Sequence, residues 1–258
     1  MKIALIGDVH GNLHALEAVL LHASDQGVKT IWNAGDFVGY GAFPDEVVRL
    51  LRRVKAVSII GNYDQKVLKV RKKQAEWAAA KTPQKWLAFQ WAYDHLSANS
   101  RKYLKRLPEG RRLKAKGWRI LLTHGSPASP DEHLSPDTPE ARLRELARMA
   151  KADLIICGHS HQPFARWVDD VLFINTGSVG RPDDGDPRAT YAILRLKRKM
   201  VEVRHYRIEY DVDQAANAIR SQQLPEEFAQ MLLQGRSLDR IDHPDSSDPG
   251  GQAQAGKL

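Results

Sequence analysis

The spacing of apolar positions changes repeatedly along this chain. Ile3-Ala4-Leu5-Ile6 is an unbroken apolar run, which reads as a strand. Ala15, Leu16, Val19 and Leu20 then recur at helical spacing, and Gly27 marks the end of that helix. Thr30–Ala34 is the next strand. Pro44-Asp45-Glu46 opens a second helix with proline and acids in its first turn, and Val47, Val48 and Leu51 form its apolar face. Val57–Ile60 follows as a third strand. A β-α-β-α-β start of this kind predicts a mostly parallel sheet covered by helices.

Residues 64–107 break the rhythm. They read as two or three successive helices rich in Ala, Lys and Trp, interrupted near Thr82-Pro83, and are expected to form a helical cap inserted between sheet elements. Strands resume at Arg119–Leu122 and Leu154–Cys157. Phe164–Val168 and Val171–Ile174, joined through Asp169-Asp170, predict a hairpin. Ala189–Leu196 and Val201–Ile208 predict a second antiparallel pair, and short helices follow at about 211–222 and 225–234. The residues from His243 are polar and carry Pro and Gly, so a disordered tail over 243–258 is expected behind one domain spanning 1–242.

Composition narrows the class more than the fold. A chain of 258 residues with 42 % hydrophobic and 27 % charged positions is ordinary for a globular protein. No apolar run is long enough to cross a bilayer, and the first residues pass from Ile6 into Gly7-Asp8 without the stretch a signal peptide needs. The one cysteine, Cys157, excludes an internal disulfide and fits a reducing compartment, so a cytoplasmic location is expected. The net charge of +8 is uneven. Between Lys66 and Arg119 stand 16 Lys/Arg against 3 Asp/Glu, a local +13 that leaves the rest of the chain at −5. That stretch reads as solvated helix faces or as a surface for anions, nucleic acid included.

The chemistry sits at the ends of strands. Asp8 and His10 follow the first strand, Asp36 follows the second through one glycine, and Asn62 follows the third in the same way. His124 follows Ile120–Leu122, and His159 and His161 follow Leu154–Cys157 through Gly158. In α/β sheets ligands bind beyond the carboxyl ends of strands, so all seven side chains are expected to converge. Two Asp, four His and one Asn form a mixed imidazole and carboxylate set. Such a set suits Mn, Fe, Ni or Zn better than Mg or Ca. It suffices for two ions if one carboxylate bridges them, and two ions can generate hydroxide and clamp a phosphoryl group.

The ordered set Gly7-Asp8-Val9-His10, Gly35-Asp36, Gly61-Asn62-Tyr63-Asp64, Thr123-His124-Gly125 and Gly158-His159-Ser160-His161 resembles the calcineurin-like metallophosphoesterases, with similar sequence to about Tyr191. Gly35–Gly41 and Asn175–Gly180 are similar to a bacterial branch of phosphodiesterase or diadenosine-tetraphosphatase type. The resemblance implies an α/β four-layer sandwich of two mixed β-sheets flanked by helices. It also implies that Asp8, His10, Asp36 and His161 hold one divalent ion, and that Asp36, Asn62, His124 and His159 hold the other. The ions would be Mn first, then Fe, Ni or Zn. The implied activity is phosphodiester or phosphomonoester hydrolysis by a bridging hydroxide, with a nucleotide among the candidate substrates.

One position departs from that pattern. Many relatives carry histidine after Gly-Asn, in contact with the phosphate, where this chain has Tyr63. A phenol with an ordinary pKa of ~10 is a weaker acid than imidazolium. Asp64 is expected to cap the next helix, with holding Tyr63 or neither role as the alternatives. Arg181 is a candidate substrate contact, since a guanidinium can bind two phosphoryl oxygens; Arg188 reads as an internal ion pair among the loop aspartates. His14, His22 and His133 have no motif around them and read as surface or packing residues. Trp77, Trp86 and Trp91 read as packing within the cap. Two other functions stay open: a metal-binding interaction scaffold with little activity, and a nuclease that holds its substrate with the basic cap. The sequence does not set the oligomeric state.

Overall fold

Residues 1–242 are described by the computed structural model, so the tail expected to be disordered lies outside the described residues. The chain opens with β1 (Lys2–Ile6), α1 (Leu13–Asp25), β2 (Thr30–Asn33), α2 (Pro44–Arg53) and β3 (Val57–Ser58). β1 and β2 pair in parallel, as do β2 and β3. The next stretch holds four helices where two or three were expected: α3 (Asn62–Lys69), α4 (Gln74–Ala80), α5 (Pro83–His95) and α6 (Ala98–Leu104). The Thr82-Pro83 interruption is a helix start. Thr82 caps α5 by accepting the Lys85 N–H, and Pro83 occupies the first turn, where its missing N–H costs nothing.

The remainder runs β4 (Gly110–Ala115), β5 (Trp118–Thr123), α7 (Glu140–Ala150), β6 (Leu154–Cys157), β7 (Phe164–Val168), β8 (Val171–Asn175), β9 (Ala189–Lys197), β10 (Met200–Ile208), α8 (Val212–Ser221), α9 (Glu226–Gln234) and α10 (Leu238–Asp242). Both predicted antiparallel pairs are present, β7 with β8 and β9 with β10.

The opening β1–β3 run is parallel, as its β-α-β-α-β pattern predicts. Among the described residues ten strands form the two mixed sheets that the resemblance implies, in the orders β10-β9-β1-β2-β3 and β4-β5-β6-β8-β7. Alternate residues of the central strands explain how they stack. Ile3 and Leu5 of β1 face Ile120, Leu122, Leu154, Ile156 and Ile174 of the second sheet in one core between the sheets. Ala4 and Ile6 point the other way, into a core with Leu16 and Val19 of α1 and Val47 and Leu51 of α2. Leu121, Ile155 and Phe173 likewise face Leu143 and Leu146 of α7. The order is therefore helices, sheet, sheet, helices. Each fully buried Ile or Leu stabilises this arrangement by about 1.5–3 kcal/mol.

The helices α3–α6 do not stand apart from these layers. Val67, Phe89, Leu96 and Leu104 join the core on the outer face of the first sheet. Trp86 packs against that core, and Trp91 against the cluster formed by α8–α10. Among the described residues no helix is long and apolar enough to cross a membrane.

Candidate metal centre

The seven residues come from both sheets, not from one. Asp8, His10, Asp36 and Asn62 follow β1, β2 and β3 of the first sheet; His124, His159 and His161 follow β5 and β6 of the second. Stacking the sheets brings these strand ends together. The loop after β1 is laddered onto the loop after β2 through Asp8 N to Gly35 O (3.0 Å), Val9 N to Asp36 O (2.8 Å) and His10 N to Asp36 O (3.0 Å). In the second sheet, Gly158 N donates to His124 O at 2.9 Å. His159 N reaches across to the Asp8 carboxylate at 3.1–3.2 Å and joins the two halves.

The backbone here is strained. Asp8, His10, Asp36, His159 and His161 all have φ between 49° and 67°, in the left-handed region. Non-glycine residues seldom adopt it, and such outliers gather at functional sites. Two glycines permit the close approach. A Cβ on Gly61 would lie 2.1 Å from Asp36 Oδ1, and one on Gly158 would lie 2.4 Å from Asp8 Oδ2.

Buried donor atoms converge on two points. Asp8, His10 and His161 form one group able to hold a metal ion, and Asp8, Asp36 and His124 form another. Asp36 Oδ2 stands 3.7 Å from His10 Nε2 and 3.4 Å from His124 Nε2. His161 Nε2 is 3.5 Å from Asp8 Oδ1 and 3.2 Å from His10 Nε2. Ligand atoms about 2.1 Å from a shared ion lie about 3.0–3.4 Å apart in octahedral or tetrahedral order, so these separations suit a metal.

The hydrogen bonds give a second test of fit. His124 Nδ1 donates to Ala34 O at 2.8 Å, which leaves the lone pair of the neutral ring on Nε2. Asn62 Nδ2 donates to Asp131 Oδ1 at 2.7 Å, so Asn62 Oδ1 is the atom turned towards His124 Nε2, 3.1 Å away. Two acceptors at that distance require a proton or a cation. The imidazole nitrogens of His10 and His161 pose the same requirement. His159 Nε2 is shut from solvent with no hydrogen-bond partner.

Electrostatics agree. Burial lowers the pKa of His124, but Asp36 and Asp8 outweigh it and raise the ring to about 9. Asp183 and Asp8 outweigh burial in the same way at His161, again to about 9. Burial and the neighbouring His124 and His133 push His159 down to about 3. Asp8, Asp36 and Asp183 thus draw positive charge into the cluster.

Asp64 proves to be the cap. Its Oδ2 accepts Gly61 N–H (3.0 Å) at the start of α3, and its Oδ1 accepts Phe37 and Val38 N–H (2.9 and 3.2 Å). It therefore ties α3 to the loop that carries Asp36. Burial and the Asp36 charge push its pKa up to about 8 against those donors. Tyr63 N donates to Asp36 Oδ1 at 2.8 Å. The Tyr63 ring meets His10 edge-on at 5.1 Å, and its hydroxyl is 3.3 Å from that of Tyr40.

Arg181 lies over both tyrosines, 4.8 Å from the Tyr40 ring and 5.5 Å from the Tyr63 ring. Its Nε and Nη1 neither reach solvent nor find a hydrogen-bond partner. Its own backbone N–H donates to Ser178 Oγ, which donates to Asp8 O, each at 2.9 Å, so the Arg181 backbone is tethered to the Asp8 loop. Arg188 forms the expected pair with Asp186.

Three residues near the cluster escape sequence reasoning. Asp131 orients Asn62, Asp183 faces His161 Nδ1 at 3.5 Å, and the His133 ring sits 4.3 Å from that of His159. Asp131 and His133 lie in the loop directly after Thr123-His124-Gly125, and that position was their only signal. His14 and His22 do pack, against Phe43 and Tyr191. Much of the basic segment is exposed, and Arg71, Lys73 and Lys85 are paired with Asp94, Glu76 and Asp239.

Comparison with known proteins agrees with this geometry. The family model of the calcineurin-like phosphoesterase superfamily domain matches residues 1–199. An uncharacterized protein of Methanocaldococcus jannaschii is 34 % identical over 251 residues, covering 91 % of this chain and 98 % of its own. The phosphodiesterase YfcE of Escherichia coli is 26 % identical over 204 residues, covering 75 % of this chain and 87 % of its own. The crystal structure of a metallophosphoesterase from Sphaerobacter thermophilus superposes with a TM-score of 0.75 at 31 % identity, over 91 % of this chain and 99 % of that one. By family, fold and the convergence of its strand-end residues, the chain belongs to the calcineurin-like phosphoesterase superfamily, as a hydrolase of phosphoester bonds.

Proposed function

We propose that the chain hydrolyses phosphate esters, diesters foremost, with two divalent transition-metal ions, Mn first and Fe, Ni or Zn as alternatives. Asp8, His10, Asp36 and His161 would hold one ion, and Asp36, Asn62, His124 and His159 the other, with Asp36 shared. The observation that carries this reading is the position of Asp36 Oδ2, 3.7 Å and 3.4 Å from imidazole nitrogens of the two halves. Diesters come first because a relative covering 75 % of the chain is named a phosphodiesterase. Ions bound there would supply hydroxide at neutral pH and neutralise phosphoryl oxygens.

The protein's own groups do the rest. His124 is locked in one tautomer by Ala34 O, and Asn62 in one amide orientation by Asp131. Arg181 is the fixed cation beside the His10 half and would bind phosphoryl oxygens. Tyr63 stands where many relatives have histidine and would give a hydrogen bond to the departing oxygen as the ester P–O bond breaks. Asp64 serves by capping α3.

The test combines metal analysis with hydrolysis of bis(p-nitrophenyl) phosphate and p-nitrophenyl phosphate. Asp36→Asn and His161→Ala should each lower Mn-dependent turnover by about 100-fold or more and leave far-UV circular dichroism unchanged. If both fold and retain near-parental rates in saturating Mn, the two-metal reading is wrong.

A further inference from the structure

We propose that His133 is a substrate contact: a hydrogen-bond donor at the open rim of the metal centre, meeting the phosphoryl group on the His124–His159 side. This rests on the phosphoesterase reading above, and concerns a residue with no motif of its own.

The loop that carries His133 is rigid on both sides of it. Thr123 Oγ1 donates to Ser126 O at 3.1 Å, and Ser126 N to Ser129 O at 2.8 Å. Ser126 Oγ binds Glu132, which Arg142 grips through two further bonds of 2.7 and 3.0 Å. After His133, Leu134 is fully buried in the outer core of the second sheet. Its carbonyl accepts Ser160 Oγ at 2.6 Å and Asn175 Nδ2 at 3.3 Å. His133 is thus an exposed side chain on a backbone pinned at Glu132 and Leu134.

Its ring packs against that of His159. It lies 4.3 Å from the ring of His159 at 53°, and His159 is in turn 5.0 Å from His124. Among the described residues neither nitrogen of His133 has a hydrogen-bond partner. The other donors near this half are engaged: Asn62 Nδ2 bonds Asp131, and Lys66 Nζ is 3.6 Å from the same carboxylate. Arg181 and Tyr63 stand beside His10, in the other half. A phosphoryl group spanning both halves would therefore meet Arg181 on one side and His133 on the other. A donor fixed before the substrate arrives costs no reorganisation when charge develops.

The competing role is structural, with His133 merely stacking on His159 to position it. Two variants of the full chain separate the roles. His133→Phe keeps the stack and removes the donor; His133→Asn keeps a donor and removes the stack. Each is loaded with Mn and titrated with inorganic phosphate and with Mn by calorimetry, and kcat/KM is measured on bis(p-nitrophenyl) phosphate. One hydrogen bond to a charged oxygen predicts that His133→Phe weakens phosphate binding and kcat/KM by about 10- to 100-fold, with Mn affinity unchanged. His133→Asn should recover part of both losses. The proposal is overturned if His133→Phe binds phosphate and turns over within twofold of the parent. It is equally overturned if Mn affinity falls in His133→Asn and not in His133→Phe, which is the signature of stacking. A parent protein that neither binds Mn nor hydrolyses the diester refutes the underlying reading, before any variant is compared.

Discussion

Arg181 separates a functional cation from a structural one. Two of its nitrogens are shut from solvent without hydrogen-bond partners, and burial is the largest influence on its charge, opposed by Tyr63, Tyr40 and Asp183. Burying a charge in that state costs several kcal/mol. The stacks on Tyr40 and Tyr63 return about 0.5–2 kcal/mol each. Arg181→Met keeps the apolar stem and its packing and removes the charge. Its thermal stability should therefore equal or exceed the parent's, by up to a few degrees at about 2–4 °C per kcal/mol for a chain of this size. Activity should move the opposite way. A guanidinium with two free donors facing phosphoryl oxygens contributes about 2–4 kcal/mol, and its loss should lower kcat/KM on bis(p-nitrophenyl) phosphate by roughly 30- to 1000-fold. Arg181→Lys, which keeps the charge without the fork, should fall between. Calorimetric melting and steady-state kinetics on the same Mn-loaded samples decide the matter. A variant that melts several degrees lower yet hydrolyses the diester at the parental rate would refute the argument and make Arg181 a packing residue.

Other outcomes follow from the same geometry. Asp131→Ala frees the Asn62 amide to rotate, so it should weaken Mn affinity about 10- to 100-fold by calorimetry, leaving melting in the absence of metal unchanged. Gly61→Ala drives a Cβ to 2.1 Å from Asp36 Oδ1, so it should abolish stoichiometric Mn binding while circular dichroism retains the parental spectrum. Saturating the parent with Mn at about 100 times its dissociation constant should stabilise it by about 2.7 kcal/mol, read as a rise in melting temperature that excess chelator reverses. Tyr63→His should raise turnover of alkyl diesters more than of nitrophenyl diesters, because a poor leaving group needs its proton; equal gains on both substrates would discard Tyr63 as the donor position.

The legible part of the fold was the part set by burial. β1, β6 and β8 are buried on both faces along most of their length, so they appear as apolar runs, and the polar residue after each run marks a strand end. The edges carry no such signal. β4 reads Gly-Arg-Arg-Leu-Lys-Ala and is exposed at Gly110, Arg111, Arg112 and Lys114, as suits an edge strand protected by charge. α7 shows only Leu143, Leu146 and Ala150 as a buried stripe in a charged segment. Sheet membership was hidden too. A strand's composition records that both of its faces are covered, not which layer covers them, so the two mixed sheets were legible through the motif resemblance and not through the strands themselves.

The site was legible for the same reason and to the same limit. All seven strand-end residues gather at one place, because a chain that ends a buried strand with Gly-Asp or Gly-His must leave the sheet there. The sequence does not display the conformation that makes them converge. A strand continued in extended geometry would send successive side chains to opposite faces, and Asp8 and His10 would follow the line of β1. Left-handed turns at Asp8, His10, Asp36, His159 and His161 break that alternation and redirect carboxylate and imidazole towards the seam between the sheets. Such residues cost about 1 kcal/mol or more each, a large sum against the 5–15 kcal/mol that stabilises a typical domain. The fold offsets this through the ladder between the Asp8 and Asp36 loops, the Asp64 cap and the polar network of Asn175, whose amide binds Gly158 O at 2.8 Å and Ser160 Oγ at 2.9 Å. None of those groups touches the converging donor atoms, yet each holds a backbone turn that would relax without it. The strain is therefore held by the folded chain itself, through bonds that lie outside the converging carboxylate and imidazole atoms.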